Sequence, residues 1–226
     1  MAHFNRKFFD FFRELSVENN RTWFNDNKAR YEAEVVEPML AFIGDFAPKL
    51  KKISPHYLAI PKKTGGSMFR IYRDTRFAKD KTPYKTHGSA HFRHARGKDV
   101  HAPGFYLHLE PNEVFMGCGI WHPDKDPLLA IRRRIADDPK AYQRVLKNKK
   151  FAEHFELSGS ALKRPPKGFD AEHPMIEEIK RKDFIAVSNF SERDACKADF
   201  LDRFTERCKA GTPLMKFLAT SLEIEW

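Results

Sequence analysis

The sequence predicts an α+β fold. It reads as a single domain over residues 1–226, with an antiparallel sheet of four to five strands packed by N-terminal and C-terminal helices. Three observations carry this reading. Apolar residues recur at three- and four-residue steps up to Phe46, alternate between Ser67 and Trp121, and return to helical steps from Asp126. The links between the alternating segments are short, which suits antiparallel neighbours with one wet face. No repeat, low-complexity tract or clear break in composition divides the chain.

The elements follow in order. Phe4, Phe8, Phe11, Phe12 and Leu15 share one stripe of a first helix. Asn19 or Asn20 suits an N-cap, because a side-chain oxygen there accepts a free backbone N–H. The second helix carries Trp23, Phe24, Tyr31 and Val35 on one face. Pro38 should end or kink it, with a further helical piece to about Phe46. These aromatic stripes read as core packing, and they need no cofactor. A first strand is expected at 67–72, where Phe69 and Ile71 alternate with Arg70 and Tyr72. Two more follow, with Thr86, Gly88, Ala90 and Phe92, then Phe105, Leu107 and Leu109, on one face each. The Pro111–Glu113 turn leads into the apolar strand "VFMGCGIW". Helical spacing returns at 126–135, with Pro127 placed for the first turn, and another helix starts near Pro139. "LKRPPKGFDAEHP" reads as a loop and 182–190 as a fifth strand. Two tail helices, 192–208 and 213–222, are expected to part at Gly211.

Composition excludes several classes. With 41% apolar residues and 21 Phe, the chain can bury a sizeable core. No apolar run approaches the roughly eighteen residues of a membrane span. The N-terminal stretch is charged throughout and lacks the apolar centre of a signal peptide, so a cytoplasmic protein is expected. Cys118, Cys196 and Cys208 form no CxxC, and three is an odd number. They predict neither a disulfide framework nor a zinc knuckle, but small apolar packing residues in a reducing compartment.

Charge is concentrated. The net charge is +10. Residues Lys62 to Lys98 hold eleven Lys and Arg against two Asp, which accounts for nine of those ten charges. Such density opposes folding unless distant acids, solvent or a bound anion compensates. The centre of the segment is "RIYRDTRFAKDKTPYKTHGSAHFR", Arg70 to Arg93.

Five stretches occur here in order: "NNRTWFNDNKARYE", "RIYRDTRFAKDKTPYKTH", "GFYLHLEP", "GCGIWHP" and "LKRPPKGFDAEHP". Together they resemble the family called domain of unknown function 2461, a group of conserved hypothetical proteins. The resemblance spans nearly the whole chain, and "YRDTRFAKDKTPYK" is its most specific part. It implies a soluble, single-domain α+β protein and no particular reaction. Cys118 departs from it by standing inside the expected run of glycines.

The basic stretch offers the clearest chemistry. Residues 75–82 break the alternation and should leave the sheet as a loop, and Pro83 returns the chain to an extended strand. Arg70, Arg73, Asp74, Arg76, Asp80, Lys81, Tyr84 and Lys85 then gather around that loop. The Arg forks suit carboxylate or phosphate, the Lys residues add point charge, and Asp74 and Asp80 orient the forks. A small anionic ligand is the expected partner. The competing reading is an Arg–Asp network that merely fixes an irregular loop. His87, His91 and His108, with Asp74 or Glu110, could hold zinc or iron. However, His87 and His91 lie roughly 13 Å apart at Cα on one strand, too far for easy chelation, so no metal is assigned. The same basic surface could bind nucleic acid or an acidic protein, but no base-reading motif is present. Any nucleic-acid binding should therefore be weak, salt-sensitive and non-specific. Asp74 or Asp80 with Tyr84 and a His could serve as acid and base. No GxSxG, P-loop, HExxH or GxGxxG supports a reaction, and no cofactor is expected.

Overall fold

The computed structural model describes residues 2–96 and 102–226. Its N-terminal half opens with α1 (Arg6–Val17), α2 (Arg21–Asp26), α3 (Lys28–Tyr31) and α4 (Glu37–Ile53). Asn5 caps α1 by accepting from Lys7 N, and Asn20 caps α2 by accepting from Trp23 N. Pro38 does not end the helical path. A π-helical turn, Glu32–Val36, precedes it and leads into α4, where Pro38 occupies the first turn and its missing N–H costs nothing. The path therefore runs past Phe46, and past Pro48, to Ile53.

The sheet has six strands: β1 (Tyr57–Leu58), β2 (Gly88–His94), β3 (Gly104–Glu110), β4 (Glu113–Ile120), β5 (Glu156–Ser158) and β6 (Phe184–Phe190). Their order is β1-β2-β3-β4-β6-β5, and every neighbouring pair is antiparallel. Two differences from the expected four to five strands follow. First, β1 and β5 span two and three residues, too short to show alternation. Second, the strand expected at 67–72 is only a bridged segment on the edge of β2. Phe69 N donates to Ser89 O and His91 N donates to Ser67 O. A further bridge joins Tyr72 to Tyr84. Met68 and Ile71 are buried while Phe69 stacks on His91 outside, so Phe69 and Ile71 do not share a face. Pro83 cannot donate, and this limits the ladder there to Arg73 N on Pro83 O and Lys85 N on Ile71 O.

Between β4 and β6 run α5 (Lys125–Asp137), α6 (Pro139–Leu146), α7 (Lys149–His154) and α8 (Ile176–Ile179). The chain closes with α9 (Glu192–Ala195) and α10 (Phe200–Ser221). The tail differs from expectation. It is one long helix after a single short turn, and Gly211 lies inside it. A Cβ on Gly211 would come within 2.8 Å of Cys118 Sγ on β4. This glycine therefore allows a close helix–sheet approach rather than a helix stop.

One face of the sheet packs on the helices. Ala90, Phe92, Phe105, Leu107, Met116, Cys118, Phe184 and Ala186 are buried there with Phe4, Phe8, Phe42, Phe46, Phe200 and Phe204. Most neighbouring rings meet edge-on or tilted, as with Phe46–Phe92 at 4.7 Å and Phe46–Phe204 at 5.0 Å between centroids, while Phe42 and Phe46 stack at 6.3 Å. The opposite face carries His87, Ser89, His91, Tyr106, His108, Glu110 and Phe115 by alternation and register. No helix among the described residues is long and apolar enough to cross a membrane.

Candidate functional site

The basic loop stands at the edge of β2, anchored from two sides. On the sheet side it is held by the bridges described above. On the helix side, Asn19 between α1 and α2 clamps the backbone of Tyr84. Its Nδ2 donates to Tyr84 O at 3.0 Å, and its Oδ1 accepts from Tyr84 N at 3.1 Å. The Tyr84 ring stacks on Phe24 of α2 with centroids 4.1 Å apart. The aromatic core thus fixes the C-terminal end of the loop.

Two hollows flank Tyr72. The larger, about 540 Å³, is lined by Phe69, Arg70, Tyr72, Arg73, Asp74, Arg76 and Lys85. The smaller, about 340 Å³, is lined by Arg21, Asn25, Tyr72, Arg73, Thr75, Pro83 and Tyr84. Hence Arg70, Arg73, Asp74, Arg76 and Lys85 come together in one cleft, with Tyr84 in the adjoining hollow. Asp80 and Lys81 line neither. Lys81 Nζ donates to Thr75 O at 2.9 Å, within the loop.

Hydrogen bonds divide the cations into two groups. Arg76 makes a two-point pair with Asp74, Nε to Oδ1 at 3.0 Å and Nη2 to Oδ2 at 2.7 Å. Arg73 donates to Asp80 and to Thr82 Oγ1. The Arg76 side chain, then its backbone N–H, pushes the Asp74 pKa down to about 2. Asp80 is likewise pushed down to about 2, by the Thr82 N–H first and by Arg73 and the Thr82 hydroxyl after it. Arg70 and Lys85 form no ion pair among the described residues. Lys85 is half-buried, with Nζ 5.1 Å from the centre of the Phe69 ring. Burial lowers its pKa, and the neighbouring Arg70 lowers it further.

The histidines fall differently from the pairing weighed in the sequence. His91 turns to Arg93, whose Nε donates to His91 Nδ1 at 3.0 Å. Its ring fills the space that a side chain at Gly104 would need. The pair that meets is His87, immediately before β2, and His108 on the adjacent β3, with ring centroids 4.2 Å apart. Glu110 joins them, while Asp74 stays with Arg76. Burial, followed by the charge of His108, pushes the His87 pKa down to about 4.

The sequence reading missed Asn19, Arg21, Asn25 and Phe69 as parts of this region. A signal did exist: the first three lie in the stretch "NNRTWFNDNKARYE", where Asn20 and the aromatics explain themselves as cap and core but the other polar residues do not.

Fold and site define a class: an α+β protein with one open antiparallel sheet and a basic loop folded against its edge. More particularly, the chain belongs to the family described as conserved hypothetical protein (DUF2461), whose model matches residues 7–217. No curated protein matches the chain.

Proposed function

We propose that the protein binds a small anionic ligand, bearing phosphate or carboxylate, in the cleft between Arg70 and Lys85. The observation that carries this is the half-buried Lys85, which lies beside a second cation, Arg70, and makes no ion pair among the described residues. Arg73 and Arg76 have acids of their own and shape the cleft wall. Desolvating a cation without an ion-pair partner costs free energy, and an anion between Arg70 and Lys85 offsets both that cost and the repulsion. Phe69 and Tyr72 supply apolar and stacking surface beside the charge, a mixture that suits an organic anion. No reaction is proposed.

The test is a thermal-shift screen of phosphorylated and carboxylated metabolites on wild type and Lys85→Met. A ligand at 100 times its Kd stabilises by about 2.7 kcal/mol. The expected result is at least one hit that stabilises wild type and leaves Lys85→Met unmoved. Hits that stabilise both proteins equally contradict the reading.

A second reading has one specific observation behind it. Phe77 at the loop tip is 95% exposed, with the Arg76 guanidinium 5.9 Å from its ring centre. An exposed aromatic among Arg76, Lys79 and Lys81 suits an interaction module that presents the loop to nucleic acid or an acidic protein. A gel shift at physiological salt separates the two readings. Weak binding that vanishes with salt fits the cleft reading, and nanomolar binding that Phe77→Ala abolishes fits the second.

A further inference from the structure

We propose that His87, His108 and Glu110 form a binding site for one divalent transition-metal ion, on the sheet face opposite the helices. The sheet register creates it. Gly88 pairs with Leu109 and Ser89 with His108, so His87 falls opposite Glu110 and diagonal to His108. One donor atom from each of the three lies within 4.8 Å of the other two. His108 Nε2 is 3.0 Å, and His87 Nδ1 3.7 Å, from the same oxygen, Glu110 Oε2. Ligand atoms about 2.1 Å from a tetrahedral ion stand roughly 3.4 Å from one another, and the two distances bracket that spacing.

The surroundings favour a ligand set over a chance cluster. His108 Nδ1 is 3.0 Å from the Tyr106 hydroxyl, which can fix the tautomer that leaves Nε2 for a metal. Glu110 accepts from Thr86 Oγ1 on its other oxygen, Oε1, which leaves Oε2 directed at the imidazoles. Phe115 lies flat against His108 with centroids 4.7 Å apart and holds its ring plane. His108 is buried, and His87 and Glu110 are partly so. Thus both oxygens of the carboxylate and both nitrogens of the deeper imidazole have assigned roles.

Two imidazoles with one carboxylate suit zinc, iron, cobalt or manganese rather than calcium or magnesium, which take oxygen ligands. Three protein donors leave at least one coordination position open. Lys85 lies close enough to His87 to oppose a cation here, and Glu110 provides the opposing negative charge. The proposal does not depend on the anion cleft, and its readouts are separate.

The test uses untagged full-length protein, stripped with chelator and titrated with Co²⁺ and then Zn²⁺. Wild type should bind one Co²⁺ per chain with visible d–d absorption, and Zn²⁺ should displace it. His87→Ala and Glu110→Gln should each weaken Co²⁺ binding by about tenfold or more. His91→Ala should bind as wild type does. Circular dichroism confirms that the variants are folded, and the partly exposed His87 is chosen over the buried His108 for that reason. Absence of a saturable Co²⁺ signal in wild type overturns the proposal, as does unchanged affinity in folded His87→Ala and Glu110→Gln.

Discussion

Individual cations in the loop differ in what neutralises them, and this decides what each substitution does. Arg73, bonded to Asp80 and Thr82, is a fixed part of the loop. The pair is 30% and 59% exposed at its two side chains, so solvent screens it. Arg73→Ala should lower stability by only about 0.5–1 kcal/mol, read by urea denaturation. Lys85→Met should leave stability unchanged or raise it, because it removes a half-buried cation and its repulsion by Arg70. A clear loss of stability in that variant would place Lys85 among the structural cations. His91 gives a pH prediction. Burial, then Arg93, pushes its pKa down to about 4 from an ordinary value of 6.5. Between those values the unfolded chain binds a proton that the fold refuses. Stability contributed by neutral His91 is complete above about pH 6.5 and falls as pH drops towards 4. Urea midpoints for wild type should fall over that window, and His91→Gln should fall less steeply. Equal slopes in the two proteins would mean that His91 titrates normally.

Elements of secondary structure carry the site through a few contacts between layers. Asn19 ties the α1–α2 junction to the backbone of Tyr84 by two hydrogen bonds. Asn19→Ala should cost about 1–2 kcal/mol and weaken anion protection even with Arg70 and Lys85 intact, because the loop end is released. Full protection in that variant would show that the clamp does not shape the cleft. Gly211 is a second joint of this kind. Ala in a helix interior usually exceeds Gly by about 0.8–1 kcal/mol. Here Gly211→Ala should instead destabilise by about 1–3 kcal/mol, since the new Cβ meets Cys118 Sγ and the Phe155 ring. Adding Cys118→Ala should return part of the loss, as a double-mutant cycle would measure. These joints also show what the sequence could reveal. The stripes at Phe4–Leu15 and Trp23–Val35 set helices without knowledge of the fold, and the alternation at 105–110 set a strand. Gly211 could not be read that way, because its reason is a side chain on β4 some ninety residues earlier. The 67–72 segment failed for a similar reason. Its alternation suggested a strand, but it makes isolated bridges to Ala90 and Tyr84, two separate places along the chain, rather than one continuous ladder. The histidine cluster depends on the offset between β2 and β3, and spacing along one strand says nothing of that offset.

Over the whole molecule, charge and apolar surface are segregated. Nine of the ten net charges lie between Lys62 and Lys98, while the phenylalanines gather on the helix side of the sheet. The basic segment is therefore held to the edge of a core that does not need its charge. Its concentration of Lys and Arg was legible in the sequence, but which of these cations go without an ion-pair partner among the described residues depends on loop geometry that composition cannot supply. The cysteines fit the same picture. Cys118 and Cys208 are buried, and burial raises both thiol pKa values. Unfolding without reductant should expose three titratable thiols, and a count of one would reveal a disulfide instead. The central claim, an anion held between Arg70 and Lys85, is tested most directly by thermal midpoints with and without phosphate at fixed ionic strength. Wild type, Arg70→Ala and Arg76→Ala are compared. The account predicts that phosphate raises the midpoint of wild type and Arg76→Ala alike, because Arg76 is already paired with Asp74, and that Arg70→Ala loses the response. An equal phosphate response in wild type and Arg70→Ala, or none in wild type with phosphate or with any metabolite screened, would contradict it.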